Sequence, residues 1–510
     1  MTETFYITTP IYYVNGAPHI GHAYTSIAAD VLARWMRLEG REVFFLTGTD
    51  EHGQKVAQAA AAAGMDPQAF VDGLAAEFAD MAAKMNISND DFIRTTEPRH
   101  KDGCAALWKV LVDRGEIYLG HYEGWYALRD ESFYAEDEIV TRPDGTKVSP
   151  FGSPVEWVRE PNYLFRMSNW GDRLLAFYEA NPDFLGPLST RNEVISFVRG
   201  GMTDLSVSRA SLTWGVPVPG DPEQVMYVWV DALANYMTAL GYPDPAAERW
   251  KFWPADIHFV GKDIARFHAV IWPALLMAAG LPVPKRVYAN GWWTVEGEKM
   301  SKSVGNVVDP RDLVSEFGLD VLRYFLLREM PFGNDGDFNR RALVTRMNSE
   351  LANDLGNLAQ RSLSLIAKNC NSILPERGPL TEDDTELLAQ AAGLRDAMRP
   401  KLLRQSYGEA LDEAWRVIRA ANGYIDRQAP WALRRTDPVR MAAVLRVLAD
   451  ILREVATVLQ PFMPDSMAAM LDQLGVPADA RSFAALSDML PGGITLPAPQ
   501  GIFPRYVEAA

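Results

Sequence analysis

Residues 5–9 read as a short strand, and the segment directly after them constrains the fold more than any other stretch of the chain. A loop with Pro10, Asn15, Gly16 and Pro18 leads into His19-Ile20-Gly21-His22. From Ile20 an apolar stripe runs through Tyr24, Ile27, Ala28, Val31, Leu32, Trp35 and Met36 at helical spacing. Gly40 stands where a helix-terminating glycine belongs. Two histidines thus frame a glycine at a helix N-terminus, where backbone N–H groups and the positive end of the helix dipole favour a phosphate. The imidazoles add donors, and Gly21 removes a Cβ where a flat base or ribose can lie against the backbone. Taken alone, the tetrapeptide fits two surface histidines beside a turn better than a site.

A second basic segment changes that balance. Lys299-Met300-Ser301-Lys302-Ser303 follows Glu296-Gly297-Glu298 and precedes Gly305-Asn306. Two lysines and two serines on a glycine-flanked loop can close on a triphosphate and donate to it; in isolation they make a solvated basic turn. The pair of segments resembles the two signature motifs of class I aminoacyl-tRNA synthetases. Within that class the chain resembles the methionyl-tRNA synthetases over nearly its whole length. The fold this implies is α/β: a doubly wound parallel-sheet (Rossmann-like) catalytic domain with an inserted connective-peptide domain, followed by an all-α helical-bundle anticodon-binding domain.

Texture along the chain fits that order. Residues 1–115 alternate strand and helix patterns, the first half of the catalytic domain. The second clear strand, residues 43–47, ends in Gly48-Thr49-Asp50-Glu51-His52-Gly53. Polar residues there lie where parallel sheets bind ligands. Asp50 can meet an ammonium group or merely cap the next helix; Asp50, Glu51 and His52 also resemble part of a metal or acid–base cluster. Residues 116–225 are turn-rich and read as the insertion. Residues 226–295 return to α/β texture, with strands expected at 226–230, 256–260 and 287–290. The basic loop and a linker occupy 296–340, with a turn expected at 335–338. From 341 to 510 the pattern is helical and ends in a Pro- and Gly-rich tail expected to wrap the body.

The resemblance carries roles to individual positions. His19, His22, Lys299 and Lys302 match catalytic residues, and His19, Gly21, His22, Gly261, Asp263 and Lys302 match ATP-binding ones. The positions around methionine are Ile11, Tyr13, Asp50, Trp229, Ala232, Leu233, Tyr236, Ile264 and His268. Aromatic residues at helical spacing are more often core, yet a thioether suits such a cage, and Tyr13 and His268 are candidates to hydrogen-bond near the sulfur. Asn353, Asn357, Arg361 and Trp431 match anticodon contacts. By composition the first three are a solvated helix face; functionally they are a row that can read unstacked bases, with Trp431 as a stacking platform after Pro430 ends one helix.

Many members of the family hold zinc in the insertion through paired cysteines. Here Ala127, Asp130, Ser149 and Gly152 stand at those positions, and alanine and glycine offer no ligand atom. No zinc and no other protein-bound metal is expected, only ATP with Mg2+. Cys104 and Cys370 are the two cysteines and lie outside any paired pattern, so a reducing cytoplasm is the expected home. A net charge of −16 confines RNA binding to a limited face. No membrane span is expected. Methionine, ATP and tRNA(Met) are the expected partners of a monomer. Cysteinyl enzymes would want a cysteine-rich zinc site, and isoleucyl or valyl enzymes a long editing insertion. Small-cofactor nucleotidyltransferases lack the helical C-terminal half, and a non-catalytic tRNA-binding protein would not need both basic segments intact.

Overall fold

The computed structural model describes residues 3–14, 16–129, 132–134, 136–295, 297–300 and 307–507. Strand β1 (Thr4–Tyr13) is followed by helix α1 (Ile20–Leu38) and strand β2 (Glu42–Asp50). The strand expected at 5–9 is thus longer at both ends. Its burial on both faces suits a central strand of a parallel sheet. The chain forms two compact units, Thr4–Pro18 with Phe44–Asn290, and Met1–Glu3, His19–Val43 and Gly291–Ala510.

The first unit holds a six-stranded sheet. Its further strands are β3 (Asp91–Arg94), β4 (Leu185–Gly186), β5 (Ile257–Gly261) and β6 (Val287–Asn290), in the order β3-β2-β1-β5-β6-β4. β2 with β3, β1 with β5, β5 with β6 and β6 with β4 all pair in parallel. Helices α2 (Pro98–Asp113), α3 (Val228–Thr238) and α4 (Trp272–Ala279) share one core with it through Tyr6, Leu46, Leu107, Leu233, Val260 and Leu275. This is the doubly wound, Rossmann-like arrangement. The strand expected at 226–230 is a strand over Asp221–Met226 and then the start of α3. Val228, Trp229 and Val230 read as β because they are branched, aromatic and apolar. A short run buried on most sides gives no period to separate helix from strand.

The stretch expected to be an insertion is built on a long antiparallel pair, Ile117–Ala127 with Glu156–Phe165, in a four-stranded sheet with Leu205–Ser206 and Ser132–Tyr134. Trp125 and Trp157 are register partners whose rings meet edge to face at 5.3 Å, and the Lys147 ammonium lies 4.0 Å from the Trp125 ring centre. At the turn where a second ligand pair would sit, Ser149 Oγ accepts the N–H groups of Phe151 and Ser153, and the Gly152 carbonyl accepts from Arg142.

The second unit joins α1 to the C-terminal half. α5 (Leu319–Arg328) carries Arg323, fully buried, which donates to Asp30 of α1 at 2.6 Å and to the carbonyls of Pro461 and Phe462. Tyr407 Oη donates to the Ala28 carbonyl at 2.7 Å, Arg399 pairs with Glu39, and Trp35 meets Phe483 edge to face. The helix is therefore held along its length by residues of the helical half. That half runs through Arg340–Arg346, a π-helical Met347–Gly356 and Asn357–Asn369, then Glu382–Ala392, Leu394–Leu403, Tyr407–Gln428, Pro438–Leu459 and Pro464–Gln473. The tail returns across it: Ile373 bridges Thr495, and the Tyr506 N–H donates to Asn348 Oδ1 at 2.8 Å. Among the described residues no helix is long and apolar enough to cross a membrane.

Candidate active site

In the second unit, His19 is the N-cap of α1 and His22 its third residue, and the two side chains cap the helix reciprocally. The Gly21 N–H donates to His19 Nδ1 at 3.1 Å, and the His19 N–H donates to His22 Nδ1 at 3.0 Å. This is a capping box with imidazoles in both roles. Each Nδ1 is used as an acceptor, so in the neutral rings the proton sits on Nε2. The rings lie 3.9 Å apart, and burial, then the neighbouring His19, pushes the His22 imidazole well below its ordinary value. His22 is therefore a neutral donor. A Cβ on Gly21 would lie 2.9 Å from His19 Cε1, so glycine here makes room for the capping ring, a reason different from the base-binding one expected. Nor are the first N–H groups of the helix left waiting for a phosphate; the imidazoles and a distant carbonyl take them.

That carbonyl is Val308, which accepts the Ile20 N–H at 3.0 Å. Ser301, Lys302, Ser303, Gly305, Asn306 and the Lys299 side chain lie outside the described residues. Their two roots do not. Upstream, Glu298–Lys299 pairs antiparallel with Trp293–Val295. Trp293–Val295 also pairs in parallel with Gly336–Phe338, so the turn expected at 335–338 is a short strand. Asp337 Oδ1 accepts the Thr294 hydroxyl and the Gly297 N–H, both at 2.8 Å, and Trp293 meets Tyr24 of α1 edge to face at 5.5 Å. Downstream, Val308 sits on the first turn of α1.

The residues expected around methionine all belong to the first unit. Ile11 and Tyr13 end β1, Asp50 ends the neighbouring β2, and the Val14 N–H donates to the Asp50 carbonyl at 3.2 Å. Asp50 is only 8% exposed. Trp229, Ala232, Leu233 and Tyr236 lie along α3, and Ile264 and His268 follow β5. Trp229 packs on Phe267 with ring centres 4.4 Å apart, and Tyr236 Oη is 2.6 Å from His268 Nε2. His268 Nδ1 must donate to the Ile264 carbonyl at 2.9 Å, so Nε2 accepts from Tyr236. Both ring nitrogens are engaged, so His268 is not a ready donor to a sulfur. Burial, partly offset by the Ile264 hydrogen bond, pulls its pKa down to about 4. Gly261 ends β5, and a Cβ there would lie 2.6 Å from Asp263 Oδ1, so the glycine lets that exposed carboxylate fold back.

Two family models match end to end: tRNA synthetases class I (M) over residues 5–363, and the anticodon binding domain of methionyl tRNA ligase over 374–509. The methionine–tRNA ligase of Brucella suis is 55% identical over 508 residues, covering 99% of each chain. The chain belongs to the methionyl-tRNA synthetase family. The Rhizobium meliloti methionine–tRNA ligase is likewise 55% identical over 99% of each chain. The Mycobacterium tuberculosis methionyl-tRNA synthetase in complex with methionyl-adenylate superposes with a TM-score of 0.96 at 50% identity, covering 99% of this chain and all of that one. The chain is a class I aminoacyl-tRNA synthetase, as the two motifs led us to expect.

In methionyl-tRNA synthetases of this build the helical half is an anticodon-binding domain. Here Asn353 and Asn357 are exposed on successive turns, and the Arg361 guanidinium lies 5.6 Å from the ring centre of Trp431 while pairing with Asp426. Trp431 is 49% exposed. Ala429 takes a left-handed conformation that ends one helix, and Pro430 opens the next, which presents Trp431 at its second position.

The sequence reading missed what His52 and Glu51 do. His52 Nδ1 donates to Asp231 Oδ2 at 2.7 Å, and His100 Nε2 donates to Asp231 Oδ1 at 2.9 Å. Glu51 accepts from Thr49, Thr96 and Arg94. The compact cluster suspected at 50–52 is thus two separate networks. Asp231 was visible as a lone carboxylate in an apolar run, and a buried carboxylate must have partners.

Proposed function

We propose that this chain activates methionine with ATP to methionyl-adenylate and transfers it to the 3′ end of tRNA(Met), releasing AMP and pyrophosphate. The observation that carries the reading is the Ile20–Val308 hydrogen bond, which ties the downstream root of the basic segment to the first turn of the helix capped by His19 and His22. The chain just beyond one basic segment is thereby tied to the helix that the other segment opens.

The methionine carboxylate attacks the α-phosphate of ATP and pyrophosphate leaves; the tRNA terminal ribose hydroxyl then takes the acyl group and AMP leaves. Positioning and charge stabilisation do the work, with no covalent enzyme intermediate. His19 and His22 donate through Nε2 to the phosphates, and Lys299 and Lys302 close over the pyrophosphate, Lys302 contributing more. Mg2+ arrives with ATP on its phosphate oxygens. Gly261 and Asp263 approach the ribose, with Gly21 beside the nucleotide. Asp50 takes the methionine ammonium; Ile11, Tyr13, Trp229, Ala232, Leu233, Tyr236, Ile264 and His268 enclose the side chain. Such a wall separates methionine from homocysteine or norleucine by only ~1–3 kcal/mol per methylene. Asn353, Asn357, Arg361 and Trp431 read the anticodon. The insertion keeps its shape without zinc, through the Ser149 turn and the Trp125–Trp157 pair. The enzyme works as a monomer in the cytoplasm.

Pyrophosphate exchange run separately with each of the twenty amino acids tests the reading. Methionine alone should support rapid exchange, and Lys302→Ala should cut the rate far more than it weakens methionine. Exchange driven best by another amino acid, or unchanged by Lys302→Ala, overturns it.

A further inference from the structure

Asp231 lies in the first turn of α3 and is 2% exposed. Two separate elements converge on it. His52 donates from the segment after β2, and His100 donates from α2. His100 Nδ1 in turn lies 2.9 Å from the Thr238 hydroxyl in the last turn of α3, so the same histidine grips both ends of that helix. Cys104, one turn along α2, places its Sγ 3.2 Å from His100 Nε2 and 3.7 Å from the Asp231 carbonyl. The approach of α2 to α3 is close enough that a Cβ on Gly103 would lie 2.3 Å from Thr238 Cγ2.

The geometry points to Asp231 as a positioning residue for methionine, holding the helix that carries Trp229, Ala232, Leu233 and Tyr236 at a fixed distance from Asp50 through His52. This rests on the methionine-pocket reading of those residues. His52 stands two residues beyond Asp50, and the stretch between is clamped from its other side. The Trp214 indole donates to the Glu51 carbonyl at 2.6 Å, the Gly53 N–H donates to the Trp214 carbonyl, and the Glu51 N–H donates to Thr95. The Asp231 bond is the link from this clamped stretch to α3. An ionised carboxylate is acceptor-only, so both imidazole N–H groups are directed at it and each ring tautomer is set. Burial works against ionisation of Asp231, yet the adjoining His52 and the hydrogen bonds from both imidazoles hold its carboxyl well below the ordinary range. Charge-assisted bonds of this kind are short and geometrically demanding, which is what a spacer between two walls of a pocket requires.

His100, Cys104 and Asp231 have the atom types and proximity of a metal site. The arrangement argues otherwise. Each imidazole proton lies between its nitrogen and a carboxylate oxygen, and burial holds the Cys104 thiol protonated.

The test is steady-state pyrophosphate exchange on the full chain, with active sites titrated by the adenylate burst, for Asp231→Asn, His52→Leu and His52→Asn. An asparagine amide nitrogen at 52 reaches where Nδ1 reaches, so His52→Asn keeps a donor and His52→Leu does not. We expect Asp231→Asn and His52→Leu to raise the methionine KM about tenfold, with the ATP KM within about twofold and His52→Asn close to the parent enzyme. A merely structural Asp231 would lower the melting temperature and the active fraction and leave the methionine KM of the surviving sites alone; that result overturns the proposal. So does one equivalent of tightly bound transition metal in the parent enzyme that Asp231→Asn lacks. If Asp231→Asn does not fold, the two His52 variants decide, and equal methionine KM values for them overturn it. A parent enzyme that does not respond to methionine would instead sink the pocket reading itself.

Discussion

The His19 N–H donates to His22 Nδ1 at 3.0 Å, so the second histidine of the motif caps the backbone of the first. One ring thereby does two jobs on opposite edges. Its Nδ1 edge holds the helix start, and its Nε2 edge carries the proton that we propose is donated to the phosphates. The two jobs can be separated by substitution.

Asparagine at 22 offers its Oδ1 near the Nδ1 position and nothing near Nε2; alanine offers neither. His22→Asn should therefore keep the cap, with a melting temperature near that of the parent, and lose pyrophosphate-exchange kcat by about 100-fold or more. His22→Ala should lose comparable activity and, in addition, about 1 kcal/mol of stability for the missing cap. Equal melting temperatures for the two variants would show that the cap contributes nothing.

The motifs made the α/β core and the helical half legible, because a polar cluster at a strand end and a long 3.6-residue stripe need no tertiary information. The misread stretches share a cause. At 228–230 the apolar run is buried on most sides and carries no period, and at 336–338 the short strand owes its existence to Trp293–Val295 beside it. That His268 is a candidate to hydrogen-bond near a sulfur follows from residue type alone, because the sequence cannot show that Ile264 and Tyr236 already occupy its two nitrogens. Arg323 gave a signal that went unused: a guanidinium inside the apolar run of α5 has to be paired, and its partner Asp30 ties the signature helix to the helical half.

His268 gives a pH dependence with a definite sign. Burial, only partly offset by the Ile264 hydrogen bond, lowers its pKa from 6.5 to about 4. Between those values the unfolded chain binds a proton that the folded chain refuses, so stability rises with pH across that window. The contribution is complete above about pH 6.5 and is lost as pH falls towards 4, up to about 3 kcal/mol in all. Denaturant unfolding at a series of pH values should show His268→Gln with a flatter acid limb than the parent; parallel limbs would count against a neutral buried His268.

Asp337 holds the turn of the hairpin that carries Lys299, through the Thr294 hydroxyl and the Gly297 N–H. Asp337→Ala removes the one acceptor of both bonds from an exposed position, so global stability should change little. The hairpin should order less well, and kcat for pyrophosphate exchange should fall by roughly 5- to 30-fold. The methionine KM should stay within about twofold, since the residues assigned to methionine lie in the other unit. A raised methionine KM with normal kcat would assign Asp337 a different role.

Trp431 is half exposed beside Arg361, the pair that we propose receives an unstacked base. Stacking of a base on such a ring is worth ~1–3 kcal/mol, so Trp431→Ala should raise the tRNA KM in aminoacylation by roughly 5- to 150-fold. Trp431→Phe should recover much of the loss, because a phenyl ring still stacks. Arg361→Ala should cost less than Trp431→Ala, since its guanidinium already shares its charge with Asp426 at 2.5 Å and gains less from a phosphate. Pyrophosphate exchange, which needs no tRNA, separates this effect from damage to the catalytic half. If exchange falls in step with aminoacylation, the tryptophan is supporting the fold rather than reading a base.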